Sequence, residues 1–147
     1  FKLIAKYPSL EEEEMMLKRF RDDFYDKGTS EVVPVLSTEN LLKYRALVEK
    51  VHIKDELLAY IAKIINSTRN NSDLYLGASP RASLNILKAS KALALMAGRS
   101  FVTPDDIKRT AQPVLNHRLI LSYEREMEGI GIDEIIESLV RKVEVPR

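Results

Sequence analysis

The sequence predicts an all-α fold, a small helical bundle with one short strand at its N-terminus. Three observations support this prediction. Apolar residues recur at three- and four-residue spacing in one segment after another, which is the pattern of helices that bury one face. Serine or threonine precedes several of these segments, twice followed directly by proline, as at helix starts. The segments are joined by short connections, which are typical of bundles.

The first third of the chain contains the predicted strand and two predicted helices. Residues 1–7 alternate well enough for a strand, but no nearby segment could pair with it, so its sheet would lie outside this sequence. Ser9 and Glu12 predict a capping box for a helix that reaches about Lys27. Thr38 is the predicted cap of the second helix. The predicted apolar stripes are Met16, Phe20 and Phe24 in the first helix and Leu41, Tyr44, Val48 and Val51 in the second.

Four more helices are predicted beyond residue 52. The third begins at about Asp55 and is followed by a polar segment, 66–73. The fourth covers 80–97, the fifth begins at Thr103, and the last covers 133–143. The predicted inner faces are Leu57, Ile61, Ile64, Ile65 and Thr68; then Ala82, Ile86, Ala89, Leu93 and Met96; then Ile107, Ala111, Val114 and Leu115; and last Ile135, Ile136, Leu139 and Val140.

Size and composition limit the possible classes. The 147 residues suit one domain, or one domain with a short tail. The 23 basic and 22 acidic residues nearly cancel, so bulk charge does not predict nucleic-acid binding. Cysteine is absent, which excludes disulfides and fits a cytoplasmic protein. The chain starts with neither methionine nor a signal-peptide pattern, and we expect it to be a piece of a longer protein.

The segment from Gly77 to Ala82 is the most informative part of the sequence. Ser79 is a good N-cap, Pro80 suits the first helical position, and Gly77 allows a tight turn into the helix. Arg81 then lies in the first turn, where free N–H groups and the helix dipole favour an anion. Two interpretations remain open from these residues: a phosphate or carboxylate bound by Arg81, or an ordinary helix start with a solvated arginine.

Other kinds of chemistry lack their residues. Only two histidines occur, His52 and His117, without carboxylates at metal-ligand spacing, so we expect no metal site. His117 has no partners that suggest a catalytic triad. No phosphate loop of the Gly-x-x-x-x-Gly-Lys-Ser/Thr type is present, so this stretch cannot hold a triphosphate by itself.

Four spaced motifs follow one another along the chain: Thr68-Arg69, Leu76-Gly77-Ala78-Ser79-Pro80-Arg81-Ala82, Phe101-Val102-Thr103-Pro104-Asp105-Asp106-Ile107 and Pro113-Val114-Leu115-Asn116-His117-Arg118-Leu119. Tyr7-Pro8-Ser9, followed by glutamates, precedes them. In this order the motifs resemble the MoxR family of AAA+ ATPases, over nearly the whole chain. Two departures stand out. Asn70-Asn71 replaces the family's frequent His-Pro pair, and Gly131-Ile132 replaces its frequent Thr-Pro start of the last helix.

The resemblance implies that this chain is the C-terminal lid of a MoxR-type ATPase. In that family the arginine of the second motif is the sensor-2 residue, which makes Arg81 the implied catalytic residue. Gly77, Ser79 and Pro80 are the implied nucleotide-binding residues beside it. The implied cofactors are ATP and Mg²⁺ in the whole ATPase, whose Walker motifs would lie upstream. This stretch alone is expected to be inactive and to bind no nucleotide tightly.

The implied function is nucleotide sensing that couples ATP hydrolysis to chaperone-like remodelling or maturation of protein complexes. The implied partners are the ATPase core, neighbouring subunits of a ring, expected to be a hexamer, and a client protein complex, without nucleic acid or a membrane span. Arg81 would act on the nucleotide of its own or of a neighbouring subunit. The implied organisation is a remnant of the last core strand (1–8), a core-exit helix and pre-lid insert helix (9–51), the helical lid with the sensor-2 motif (52–121) and a helical tail (122–147).

Two other functions are compatible with a helical bundle. One is a non-enzymatic protein-interaction module that uses the tail from Ser122 to Arg147 as its contact surface. The other is nucleic-acid binding, but the balanced net charge and the scattered cations argue against it. Those cations are Lys88, Lys91, Arg118, Arg141 and Lys142.

Overall fold

The computed structural model describes residues 1–21 and 32–146. Within these residues the chain forms seven helices and two short strands, which confirms the predicted helical fold class. Their order is α1 (Leu10–Phe20), α2 (Thr38–Lys50), α3 (Asp55–Arg69), β1 (Leu74–Leu76), α4 (Pro80–Met96), α5 (Pro104–Leu115), β2 (Ile120–Leu121), α6 (Tyr123–Met127) and α7 (Ile132–Lys142). None of these helices is long and apolar enough to cross a membrane.

The hydrophobic core lies between α3, α4, α5 and α7. Helix α4 packs against α5 and α3, and α7 packs against α5 and α3. The inner faces predicted for the third, fifth and last helices are confirmed, because every residue predicted on them is buried. Tyr60 joins the first of these faces. The core therefore comes from helices that are distant in sequence and amphipathic on their own.

The predicted inner stripe of α4 is partly wrong. Ala82 and Ile86 are buried as expected, but the stripe continues through Ser90 and Ala94, while Met96 is 84% exposed. The buried residues form one row at four-residue spacing, and three of the four have small side chains that let α4 approach α5 closely. Sequence reasoning missed Ser90 because it is polar. Its hydroxyl is nevertheless hydrogen-bonded, to that of Thr110 on α5 at 2.9 Å.

A small antiparallel sheet lies between the helices, although no second strand was predicted. Strand β1 pairs with β2, with Leu74 opposite Leu121 and Leu76 opposite Ile120. These strands have only three and two residues, too short for a recognisable alternating pattern. The sheet places the chain that leads into α4 beside the chain that follows α5.

Residues 1–9 carry no strand in the structure. The predicted strand was expected to pair with a sheet outside this sequence, so it stays a prediction. Lys2 N–H donates instead to the carbonyl of Pro113 at 2.9 Å. A strand needs a neighbouring strand to pair with, and none of the described segments pairs with these residues.

The starts of the first two helices differ in how well they were predicted. The capping box is confirmed, with Glu12 N–H donating to Ser9 Oγ at 3.3 Å and Ser9 N–H to the Glu12 carboxylate at 2.8 Å. The extension of α1 to Lys27, with Phe24, lies outside the described residues. The cap of α2 is Ser37 rather than Thr38, since Ser37 Oγ accepts the N–H of Asn40 at 3.2 Å. Neither helix has a buried residue.

We expect the purified chain to fold cooperatively by itself. Helices α3, α4, α5 and α7 supply most of the core residues and bury them against one another, so the core is complete within this chain. Far-UV circular dichroism should show high helix content and a single sigmoidal melt. A gradual melt together with binding of a dye for exposed apolar surface would contradict this expectation.

Candidate functional site

Arg81 is the second residue of α4, and its side chain is free. Ser79 is the N-cap, in extended backbone conformation, and Pro80 is the first helical residue, as predicted. The Arg81 side chain is exposed and makes no hydrogen bond or ion pair with any residue that the structure describes. A guanidinium with five unused donors therefore lies next to the positive end of a helix dipole.

The first turn of α4 also lacks an acidic residue. Each of the other six described helices has at least one aspartate or glutamate in its first turn. Such residues offset the positive charge of the N–H groups at a helix start. At α4 this charge is not offset by a side chain of the first turn, and Arg81 adds to it. The local charge thus favours an external anion.

The Ser79 side chain behaves differently from expectation. Its hydroxyl makes no capping hydrogen bond; instead, the Ser79 carbonyl accepts the N–H of Ala82 at 2.9 Å. The first turn of α4 therefore has no side-chain cap.

Gly77 is required for a reason other than the predicted one. Among the described residues only Gly98 and Gly129 have positive φ, so Gly77 needs no glycine-specific turn. A Cβ at Gly77 would instead lie 2.6 Å from the carbonyl oxygen of Thr68 and 2.8 Å from Cα of Arg69. Glycine is needed because the chain passes directly over the C-terminal end of α3.

Thr68 and Arg69 hold this passing chain, a role that sequence reasoning missed. Thr68 Oγ1 accepts the N–H of Ala78 at 2.9 Å and donates to the carbonyl of Ile65 at 2.7 Å. Arg69 Nε donates to the carbonyl of Ala78 at 2.8 Å. One reason that sequence reasoning missed it is that residues 66–73 were predicted to be a polar segment after the helix, whereas α3 continues to Arg69. Only the folded arrangement brings the two segments together.

A second polar cluster fixes α5 against the end of α4. Arg99 donates two hydrogen bonds to the Asp106 carboxylate, at 2.6 and 2.8 Å. The N–H and hydroxyl of Thr103 donate to the same carboxylate at 2.8 and 2.9 Å. Burial alone would raise the pKa of Asp106, but the hydrogen bonds from Arg99 and Thr103 hold that pKa below its ordinary value.

The alternative functions find little support in the geometry. The apolar face of the tail, on α7, is buried in the core and is not available as a contact surface. Lys91 donates to the carbonyl of Glu49, and Arg141 pairs with Glu137 on its own helix. Two of the five candidate cations are therefore engaged within the chain, on α4 and on α7. Within residues 1–21 and 32–146, no three His, Asp or Glu side chains are grouped closely enough to hold a metal ion.

The fold and the site together define a class: a small helical domain with a two-strand sheet, in which an arginine without a described partner is the second residue of one helix. The AAA lid domain model matches residues 66–139, half of the chain. The chain belongs to the AAA lid domain family. This match includes α4 with Arg81, α5 and most of α7.

Individual relatives agree with this membership. The chain is 36% identical over 146 residues to YeaC of Bacillus subtilis, covering 99% of this chain and 45% of that protein. It is 32% identical over 158 residues to the chaperone MoxR1 of Mycobacterium tuberculosis, covering all of this chain and 40% of that protein. These matches confirm the resemblance to MoxR proteins inferred from the four motifs.

A solved structure supports the same conclusion. A crystal structure from Cytophaga hutchinsonii, described as that of "a putative ATPase", superposes with a TM-score of 0.80 at 33% sequence identity. The superposition covers 97% of this chain and 45% of the other. The chain thus spans less than half the length of the relatives that it matches.

Proposed function

We propose that this chain is the nucleotide-sensing lid of a longer MoxR-type AAA+ ATPase, in which Arg81 is the sensor-2 residue. One observation carries the proposal: a free arginine lies in the only described first turn that has no acidic residue. The proposed partner of Arg81 is the γ-phosphate of ATP, a group with more negative charge than a carboxylate and with several acceptor oxygens.

The residues at this site suit a phosphate. The planar guanidinium of Arg81 can donate two parallel hydrogen bonds to phosphate oxygens. The uncapped first turn of α4 adds its positive dipole end, and Gly77 keeps the approaching chain close to α3. As negative charge develops on the transferred phosphoryl group, these fixed positive groups would stabilise it without rearranging. The Mg²⁺ ligands would come from the ATPase core of the longer protein.

The packing of α4 suits a lid that moves as one body. Helix α4 is fixed to α5 through Ser90 and Thr110 and to α3 through Ala78. A phosphate that binds or leaves at Arg81 would therefore shift the whole helical domain rather than one side chain. In the proposed cytoplasmic ring, expected to be a hexamer, this movement would act on neighbouring subunits. It would couple ATP hydrolysis to chaperone-like remodelling or maturation of a client protein complex.

The proposal is tested by comparing this chain with the longer protein encoded by its gene. We expect the chain alone to bind ATP no tighter than millimolar by calorimetry, because a single exposed charge contact contributes only about 0–1 kcal/mol. In the longer protein we expect micromolar binding, with ATP slowing hydrogen exchange in the first turn of α4. The first turn of α7 in the same sample is the control and should not respond. Micromolar binding by the chain alone, or ATP binding that leaves the start of α4 unaffected, would contradict the proposal.

A further inference from the structure

The start of α4 is attached to α3 through both polar backbone groups of one residue, Ala78. Its N–H donates to Thr68 Oγ1 and its carbonyl accepts from Arg69 Nε, at 2.9 and 2.8 Å. Ala78 is only 1% exposed, so water does not replace these bonds. Thr68 is itself buried and fixed to the carbonyl of Ile65. We call Thr68, Arg69 and Ala78 the α3–α4 clamp.

Ala78 of the clamp lies three residues before Arg81, and on the other side of Arg81 the buried side chain of Ala82 fixes the helix in the core. The Ser79 hydroxyl makes no capping bond, and Arg81 has no side-chain partner among the described residues. The direction of the Arg81 side chain is therefore set by the backbone to which it is attached. The position of that backbone depends on the clamp, on the close passage of Gly77 over Thr68 and on the burial of Ala82.

We propose that Thr68 and Arg69 are positioning residues that aim Arg81 at its anion. This inference rests on the proposed role of Arg81. The clamp residues act through geometry: they hold Ala78, and Ala78 carries the first turn of α4 with it. A shift of about 1 Å in a group that stabilises a transition state is enough to cost up to about a hundredfold in rate.

The chemistry of each clamp residue suggests a matched pair of variants. Thr68→Val keeps the shape but removes the hydroxyl that accepts from Ala78, whereas Thr68→Ser keeps the hydroxyl and removes a methyl group. Arg69→Ala removes the bond to the Ala78 carbonyl at an exposed position. Arg109→Ala on α5 is the control for loss of an exposed arginine, since Arg109 has no hydrogen-bond or ion-pair partner among the described residues.

The experiment is a double-mutant cycle on steady-state ATP hydrolysis by the longer protein. We expect Thr68→Val and Arg69→Ala each to lower kcat about tenfold or more, with KM changed less, because the aimed contact matters most in the transition state. Thr68→Ser and Arg109→Ala should stay near wild-type kcat. In an Arg81→Ala background, Thr68→Val and Arg69→Ala should have almost no further effect, since they act through Arg81. Faster hydrogen exchange at the Ala78 amide in Thr68→Val checks that the clamp has opened.

The possible failures are distinguishable. If Arg81→Ala alone leaves kcat unchanged, the proposed function fails and this inference fails with it. If Arg81→Ala lowers kcat but Thr68→Val and Arg69→Ala do not, only the positioning inference is overturned. A loss for Arg69→Ala that persists in full in the Arg81→Ala background also overturns it, because Arg69 would then act independently. If Thr68→Val and Thr68→Ser instead lower the melting temperature equally and lose the same amount of kcat, Thr68 acts only through packing. Its role as a positioning residue would then be overturned.

Discussion

Replacing Arg81 with alanine in the longer ATPase is expected to lower kcat for ATP hydrolysis by about 100- to 1000-fold, the loss typical of removing one preorganised donor to a developing negative charge. The melting temperature should hardly change or rise slightly. Arg81 has no partner among the described residues, and a cation at a helix start opposes the dipole. Steady-state ATPase assays and thermal melts measure both quantities.

Two further variants sharpen this test. Arg81→Lys should recover only part of the activity, because lysine keeps the charge but loses the planar pair of donors. Arg109→Ala, at an exposed arginine of α5, should behave like the wild type. If Arg81→Ala keeps wild-type turnover, or loses it only together with its fold, Arg81 is a solvated surface residue. The Gly77–Ala82 segment would then be an ordinary helix start with a solvated arginine.

Replacing Asp106 with asparagine is expected to lower the free energy of unfolding of this chain by about 3 kcal/mol, the lower end of the range for breaking a buried ion pair, because Arg99 is partly exposed. The side chain of Asp106 is only 3% exposed and accepts from both Arg99 and Thr103. Asparagine keeps the shape but removes the charge and one acceptor oxygen. Thermal melts should show a drop of about 6–12 °C.

The neighbouring residue provides a matched control. Asp105 lies in the same first turn, is 85% exposed, and has only a 3.8 Å contact with Lys108. Asp105→Asn should change the unfolding free energy by less than about 0.5 kcal/mol. Equal effects of the two substitutions would mean that the Asp106 cluster contributes only the charge of the first turn.

The contribution of Asp106 should also depend on pH, with a definite sign. Its folded pKa lies below its ordinary value, so the folded state binds this proton more weakly than the unfolded state. The stabilisation is therefore fully present above about pH 4, the ordinary range of an aspartate. It is lost as the pH falls through the folded pKa. Chemical unfolding at several pH values should show the difference between wild type and Asp106→Asn shrinking below pH 4, and a constant difference would contradict it.

Sequence reasoning succeeded where a local pattern decides the outcome. The inner faces of α3, α5 and α7 follow from helical periodicity, which does not depend on what packs against them. It failed where pairing with a segment distant in sequence decides the outcome. Strands β1 and β2 are too short for a recognisable pattern and pair because the fold brings them side by side, whereas residues 1–7 have a strand-like pattern but pair with no described segment.

The candidate site divides in the same way. The sequence by itself determined that a helix begins at Ser79-Pro80 and that Arg81 lies in its first turn, because caps and N1 prolines act on their own few residues. Only the tertiary structure decided that Arg81 is left without a partner and that Gly77 passes against the end of α3. It also decided that Thr68 and Arg69 are hydrogen-bonded to the backbone of Ala78. These contacts join residues nine or ten positions apart, with β1 between them, and their distances depend on how α3 and α4 pack, which no local preference specifies.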